Sequence, residues 1–385
     1  MCYMIRELKS GLTLFQAVQR IRRERQIGNL RKSQDRGVSA LLAAAAVESH
    51  ERVLDLGMAG RTAGLGLNAA GIHFVGSDLR EVRCCEKTIR RMALDNACAW
   101  LEVSPAVLTG PCFDVVLFAP ARWEAKARVF ELIDAAFGKL AIHGRFLLAG
   151  RRNAGVESYR RRLKAVFGRV ETTLSKSGFR VYRSSRSAAE TGAHPVDAAH
   201  VFDVDDIPGG PYTFEASSGV FSSRGLDPGT RILIETLDVK SGDRVLDLGC
   251  GYGAIGIAAA RRALEVQLLD TNLLAVRCAR RNIARNGVAN ARVALSDGFE
   301  AAPGRTFDLI LCNAPTHEGA ETARQFVQGA ARHLKSKGRF AVVAMRPGLY
   351  LRQMKRVFGA VDQLESRQGY TVLFARDAKS AVTAA

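Results

Sequence analysis

Asp247, Gly249, Gly251 and Gly253 stand at alternate positions in Val245-Leu-Asp-Leu-Gly-Cys-Gly-Tyr-Gly-Ala-Ile-Gly256. A leucine-rich and β-branched run ends in the acid, the glycines follow, and an Ala-rich segment from Ala254 to Arg262 comes directly after. Strand, glycine turn and helix form the context in which such a motif has meaning. Glycine permits positive φ and removes the Cβ that would hold a ligand off the backbone. The helix start offers unpaired N–H groups to a carboxylate or other anion. Asp270 lies 23 positions after Asp247 and closes a second strand-like run, Val266-Gln-Leu-Leu-Asp270. An acid near that spacing can accept both hydroxyls of a ribose. The chemistry is that of a nucleoside-containing ligand laid across strand ends. Another loop, Asn313-Ala-Pro-Thr316, follows the apolar run from Phe307 to Cys312, at the strand edge where open α/β sheets act on ligands.

Positioning these groups requires alternating strands and helices, and the chain contains that alternation twice. Arg52-Val-Leu-Asp55-Leu-Gly57 repeats Arg244-Val-Leu-Asp247-Leu-Gly249, 192 positions earlier. Phe74-Val-Gly-Ser-Asp78 matches the run ending in Asp270, and Phe113-Asp-Val-Val-Leu-Phe-Ala-Pro120 matches Phe307 to Pro315. Gly144-Arg-Phe matches Gly338-Arg-Phe, and Val166-Phe-Gly168 matches Val357-Phe-Gly359. Matches in one order at a nearly constant offset identify an internal duplication. The expected fold is α/β, with a first domain over 1–190 and a second over 200–385, joined by the small, polar, proline-broken stretch 184–200. The first copy is degenerate where chemistry belongs. Ala59 and Arg61 replace Gly251 and Gly253, and no counterpart of Asn313 is evident. Arg61 is expected to obstruct a ligand.

The net charge of +18 and a pI near 10.0 favour a polyanionic partner. Basic residues crowd the N-terminus, including Arg22 and Arg23 on a helical pattern, and recur at Arg151, Arg152 and Arg160 to Lys164. No apolar run approaches a membrane span, and the N-terminus lacks the design of a signal peptide. The eight cysteines are scattered without a Cys-x-x-Cys pair, as expected of reduced thiols in the cytoplasm. No clustered metal ligands stand out, and no metal is expected.

The Asp-x-Gly-x-Gly-x-Gly loop resembles motif I of class I S-adenosylmethionine (AdoMet)-dependent methyltransferases. Together with Gly219-Val-Phe-Ser-Ser-Arg-Gly-Leu-Asp-Pro-Gly-Thr230, Asn313-Ala-Pro-Thr-His-Glu-Gly319 and Ala330-Ala-Arg-His-Leu334, it resembles the two-domain small-subunit ribosomal RNA guanine-N2 methyltransferases. The resemblance implies two tandem Rossmann-like methyltransferase domains, the second catalytic and the first supporting folding and RNA binding. It implies AdoMet as cofactor and ribosomal RNA or the small ribosomal subunit as partner, with a monomer expected. Gly249, Gly251 and Gly253, with Asp247, would lie under the methionine part. Asp270 would hold the ribose and Asp297 the adenine. Asn313 and the Ala314 carbonyl, shaped by Pro315, would receive the target amine. Thr316, Arg22, Arg23, Arg151 and Arg152 would contact RNA; Arg224 and Thr230 would touch cofactor or RNA. The loop departs from the family's usual Asn-Pro-Pro-Phe, and Thr316 removes a ring that would stack on the base. Phe299 or Tyr212 is the expected substitute. His317 and Glu318 are read as loop-shaping residues. The alternatives are a non-catalytic ribosome-assembly protein that keeps a cofactor pocket, and a methyltransferase for another amine.

Overall fold

A computed structural model describes residues 36–57, 62–110, 112–176, 178–188, 199–315 and 319–379. Arg22, Arg23, Ala59, Arg61, Thr316, His317 and Glu318 lie outside the described residues. The chain divides into two compact units, Met1–Asp197 and Ala198–Ala385.

In the first unit the strands are β1 (Arg52–Asp55), β2 (Gly71–Gly76), β3 (Ala97–Leu101), β4 (Phe113–Phe118), β5 (Leu140–Arg151), β6 (Glu171–Lys176) and β7 (Phe179–Ser185). They form a sheet in the order β3-β2-β1-β4-β5-β7-β6. Neighbours from β3 to β5 are parallel, and β7 returns antiparallel. Helices α1 (Arg36–Ala45) and α2 (Leu79–Arg91) cover one face, burying Val38, Leu41, Cys85 and Ile89 against Val53 and Phe74. Helices α3 (Lys126–Phe137) and α4 (Val156–Phe167) cover the other, burying Val129, Ile133, Leu163 and Phe167 against Val116 and Phe146. Each fully buried side chain of this size stabilises by about 1.5–3 kcal/mol.

A two-stranded hairpin of β8 (Ala199–Val204) and β9 (Tyr212–Ser217) opens the second unit. Strands β10 (Arg244–Leu248), β11 (Glu265–Asp270), β12 (Ala291–Leu295), β13 (Phe307–Asn313), β14 (Leu334–Ala344), β15 (Phe358–Arg367) and β16 (Tyr370–Ala378) follow. Their order, β12-β11-β10-β13-β14-β16-β15, is that of the first sheet. Helices α5 (Pro228–Thr236), α6 (Ala254–Ala260), α7 (Leu273–Arg285), α8 (Ala320–His333) and α9 (Pro347–Val357) flank it.

The duplication extends to irregularities and single bonds. β4 and β5 slip register between Phe113 and Val115, and β13 and β14 slip at the matching Phe307 and Leu309. Arg145 pairs with Glu51 in one copy and Arg339 with Asp243 in the other. Arg52 N–H donates to Asp114 at 2.8 Å, and Arg244 N–H to Asp308 at 2.9 Å. β15 leaves no strand signature in the sequence: its exposed edge alternates little, so the period of a half-buried strand is absent.

Candidate active site in the second domain

Four adjacent strand ends carry the candidate residues. Asp297 follows β12, Asp270 ends β11, the glycine loop follows β10 and Asn313 ends β13. Three strand spacings separate the first from the last, roughly 14 Å at about 4.8 Å each. β10 is the first strand of its sheet and is flanked by β11 and β13, so the line crosses the point where strand order reverses, where open α/β sheets bind ligands.

The glycine loop is held open from below. Gly249 and Cys250 both donate to Leu269 O, at 2.8 and 3.0 Å. Gly251 N–H donates to Asp270 Oδ2 at 2.8 Å, so the acid at the end of β11 also sets the loop. Gly249, Gly251 and Gly253 have φ of 72°, 56° and 95°, in the left-handed region that side chains rarely adopt. A Cβ at Gly249 would meet nothing within 4 Å, and one at Gly251 only Val220 at 4.0 Å. The space above the loop is a cradle that a side chain would fill. Gly253 instead packs inward, facing Ala279 and Leu268. Asn282, fully buried on α7, donates to Tyr252 O and Glu215 O and ties the loop to the hairpin.

Asp247 does not face the cradle as an open side chain: it is 0% exposed. Its Oδ2 accepts from Gly256 N–H at 2.8 Å, and its Oδ1 has no hydrogen-bond partner among the described residues. Burial pushes its pKa up to about 7, opposed by the Gly256 N–H and reinforced by the negative charge of Asp270. A cation resting on the loop would offset that desolvation. The open cradle, the unanswered buried oxygen and the half-buried Asp270 and Asp297 together fit a ligand with a cationic amino-acid end and a nucleoside end.

Asn313 is held by a set of contacts that the sequence did not reveal. Its Nδ2 donates to Asp227 Oδ2 at 2.9 Å and to Thr230 Oγ1 at 2.8 Å. Asp227 is buried, caps α5 by accepting from Thr230 N–H at 2.8 Å, and accepts from Tyr370 Oη at 2.9 Å. A carboxylate only accepts, so the end of the amide that meets it is the nitrogen. The carbonyl end, Oδ1, is thereby turned away from Asp227 as an acceptor. Burial and then Asp227 push the Tyr370 phenol up to about 12, which keeps it a donor. In Asp227-Pro-Gly-Thr230, Pro228 opens the helix and Gly229 lets the Tyr370 ring close in; a Cβ there would lie 2.5 Å from a ring carbon. In the sequence Asp227 and Pro228 stand out only as part of the Gly219–Thr230 stretch that carries the family resemblance. Partnership with Asn313, 86 positions away, is visible only once the strands are assembled.

Ala314 is buried and its N–H donates to Val343 O at 2.9 Å, fixing the backbone beyond Asn313; Pro315 is half-buried. The two rings expected to replace the missing aromatic are engaged elsewhere. Tyr212 is 1% exposed with its hydroxyl on Pro208 O, and Phe299 stacks on His333 at 4.6 Å against Gly329. Phe221 is 57% exposed and adjoins Val220, the side chain a Cβ at Gly251 would meet. Arg151 and Arg152 are exposed at the end of β5 in the first domain.

The methyltransferase small domain family model matches this chain twice, over residues 30–183 and 211–374. The chain is 33% identical over 266 residues to ribosomal RNA small subunit methyltransferase C of Stutzerimonas stutzeri, covering 67% of this chain and 77% of that protein. It is 33% identical to the protein of the same name from Pseudomonas entomophila, with the same coverage. Among solved structures, T. thermophilus 16S rRNA N2 G1207 methyltransferase in complex with AdoMet and guanosine superposes with a TM-score of 0.76 at 27% identity, covering 90% of this chain and 92% of that one. With both domains matched and two thirds of the chain aligned to named relatives, the chain belongs to the ribosomal RNA small subunit methyltransferase C family, built from two methyltransferase small domains.

Proposed function

We propose that the chain transfers a methyl group from AdoMet to the exocyclic N2 amine of a guanine in small-subunit ribosomal RNA, using its second domain. The observation that carries this reading is the fixed orientation of Asn313. When bound, AdoMet supplies a methyl group made electrophilic by its sulfonium. Asp270, at the end of β11, would hold the ribose and Asp297, just after β12, the adenine, and the open space at Gly249 and Gly251 would take the methionine part.

The N2 amine is a weak nucleophile because its lone pair is delocalised into the ring. Asn313 Oδ1 and the Ala314 carbonyl accept its two hydrogens and rotate the lone pair toward the methyl group. The N–C bond forms as the S–C bond breaks, and a proton leaves the nitrogen for solvent. Two acceptors placed beforehand favour the positive charge that develops on nitrogen. No strong base is required. Asp227, Thr230 and Tyr370 act through Asn313 as positioning residues. Phe221 supplies the stacking ring that Thr316 lacks. The first domain serves folding and RNA binding, Arg22, Arg23, Arg151 and Arg152 contact RNA phosphate, and the protein works as a cytoplasmic monomer. Among the described residues no helix is long and apolar enough to cross a membrane.

The test uses tritiated AdoMet and small ribosomal subunits from cells lacking the protein, with Asn313→Ala alongside. Label recovered as N2-methylguanosine from the wild type alone supports the reading. No label, with AdoMet binding verified in the same tube, overturns it in favour of an assembly factor or another amine.

A further inference from the structure

The first domain contains a cavity of about 390 Å³ at the C-terminal ends of β4 and β5. Arg122, Lys126, Arg151, Asn153, Glu124 and Tyr159 contribute to its lining. Its place in the fold is informative. Asp55 pairs with Leu117 as Asp247 pairs with Leu311, so the residue two beyond, Ala119, occupies the position of Asn313. In the same register Arg122 corresponds in sequence to Thr316, and Arg151 to Met345. The cavity is therefore the first domain's version of the acceptor edge, with the amide gone and cations in its place.

Ala119 is 1% exposed and has no polar side chain, so the position of Asn313 supplies no side-chain acceptor here. What it offers is charge. Arg122, Lys126 and Arg151 are exposed, and none forms an ion pair with a described carboxylate. Glu124 is the one carboxylate of the lining, and its Oε2 accepts from Ala121 N–H, shaping the loop. Beside it in the chain Trp123 is 65% exposed, the most exposed large apolar side chain described. Arg160 and Arg161 continue the positive surface along α4. Arginine forks match phosphate oxygens, and an exposed indole is a stacking platform for an unpaired base.

We propose that this cavity is a second RNA subsite, taking one unpaired nucleotide with its phosphate on Arg122, Lys126 and Arg151 and its base on Trp123. The inference rests on the reading that RNA is the substrate. The duplication has converted an acceptor edge that does chemistry into one that only holds the strand.

Trp100 and Trp123 are the only tryptophans, so Trp100→Phe leaves Trp123 as a reporter. The full chain with that change is titrated with a single-stranded RNA of about 15 nucleotides, reading Trp123 emission and the anisotropy of a labelled RNA end together. Quenching that saturates with binding is expected. Arg122→Ala with Arg151→Ala should raise the RNA Kd about tenfold and lower the salt slope by about 0.7, the value for one phosphate of a single strand. An unchanged circular dichroism spectrum and thermal unfolding curve of the double variant report that its first domain is folded. Tight RNA binding with unquenched Trp123 and an unchanged Kd in the double variant overturns the subsite while leaving the substrate reading intact. No RNA binding by the unmodified protein overturns both.

Discussion

In the first domain both oxygens of the buried acid are occupied: Asp55 Oδ1 accepts from Gly57 N–H at 2.8 Å and Oδ2 from Gly64 N–H at 2.6 Å. In the second, Asp247 keeps the matching bond to Gly256, but Gly249 N–H turns to Leu269 O, leaving Asp247 Oδ1 without a partner. The two acids are equally buried, and burial pushes each pKa up to about 7. The fold therefore does not distinguish them; the direction of one glycine N–H does. A loop that satisfies its own acid has no need of a ligand. One that leaves a buried oxygen unanswered gives up about 1–3 kcal/mol and keeps a negative charge beneath the loop that favours a cationic ligand through space. The acceptor edges differ in the same way, with Ala119 in one copy and the anchored Asn313 in the other.

The sharpest test of that contrast is Asn313→Ala. Removing one preorganised acceptor should lower kcat by about 10²–10³, measured by tritium transfer to small subunits, with AdoMet affinity by calorimetry unchanged. A loss of less than tenfold would mean that Asn313 is not the acceptor. Asp227→Ala should come next, lowering kcat by about 10² because the Asn313 amide loses the partner that fixes its orientation. Tyr370→Phe should cost less, about tenfold in the same assay, since only one bond to Asp227 is lost. An effect on KM alone would sink the positioning role of both residues.

The contrast between the acids predicts a pH dependence. Charged Asp247 favours a cationic ligand and the protonated form does not. AdoMet affinity should therefore hold above about pH 7 and weaken below it, by up to about tenfold per pH unit. Asp247→Asn should bind AdoMet weakly with a flat profile between pH 6 and 8; a profile as steep as the wild type's would remove Asp247 from the account. Equilibrium dialysis should return one AdoMet per chain, and two would erase the difference drawn between the domains. The smallest effect expected is Phe221→Ala, with KM for RNA raised several-fold and kcat little changed. An unchanged KM would leave the stacking ring unassigned.

The duplicated architecture was readable because it rests on local patterns. Apolar runs ending in Asp55, Asp247 and Asp270, followed by glycine or helix signals, identify strands and their order in the chain without reference to distant contacts. The glycine loop was readable for the same reason: positive φ and close approach are properties of glycine wherever it stands. The supports of Asn313 were not. Asp227, Thr230 and Tyr370 come from a helix start and the head of a late strand, and nothing in their own neighbourhoods marks them as partners of an amide on β13. Tyr212 and Phe299 misled because an aromatic residue in sequence carries no sign of whether its ring faces a site or the core.

By itself the sequence determined that two like domains exist, that the second keeps a nucleoside-type loop and the first has lost it, and that the chain is strongly basic. These follow from residue type and spacing, which act over a few residues. Tertiary structure alone decided which oxygen of Asp247 is left unanswered, which way the Asn313 amide points, and that Arg122, Lys126 and Arg151 border one cavity. Those outcomes depend on hydrogen-bond directions and strand register between segments far apart in the chain, where a single rotated peptide N–H changes what a buried carboxylate can bind.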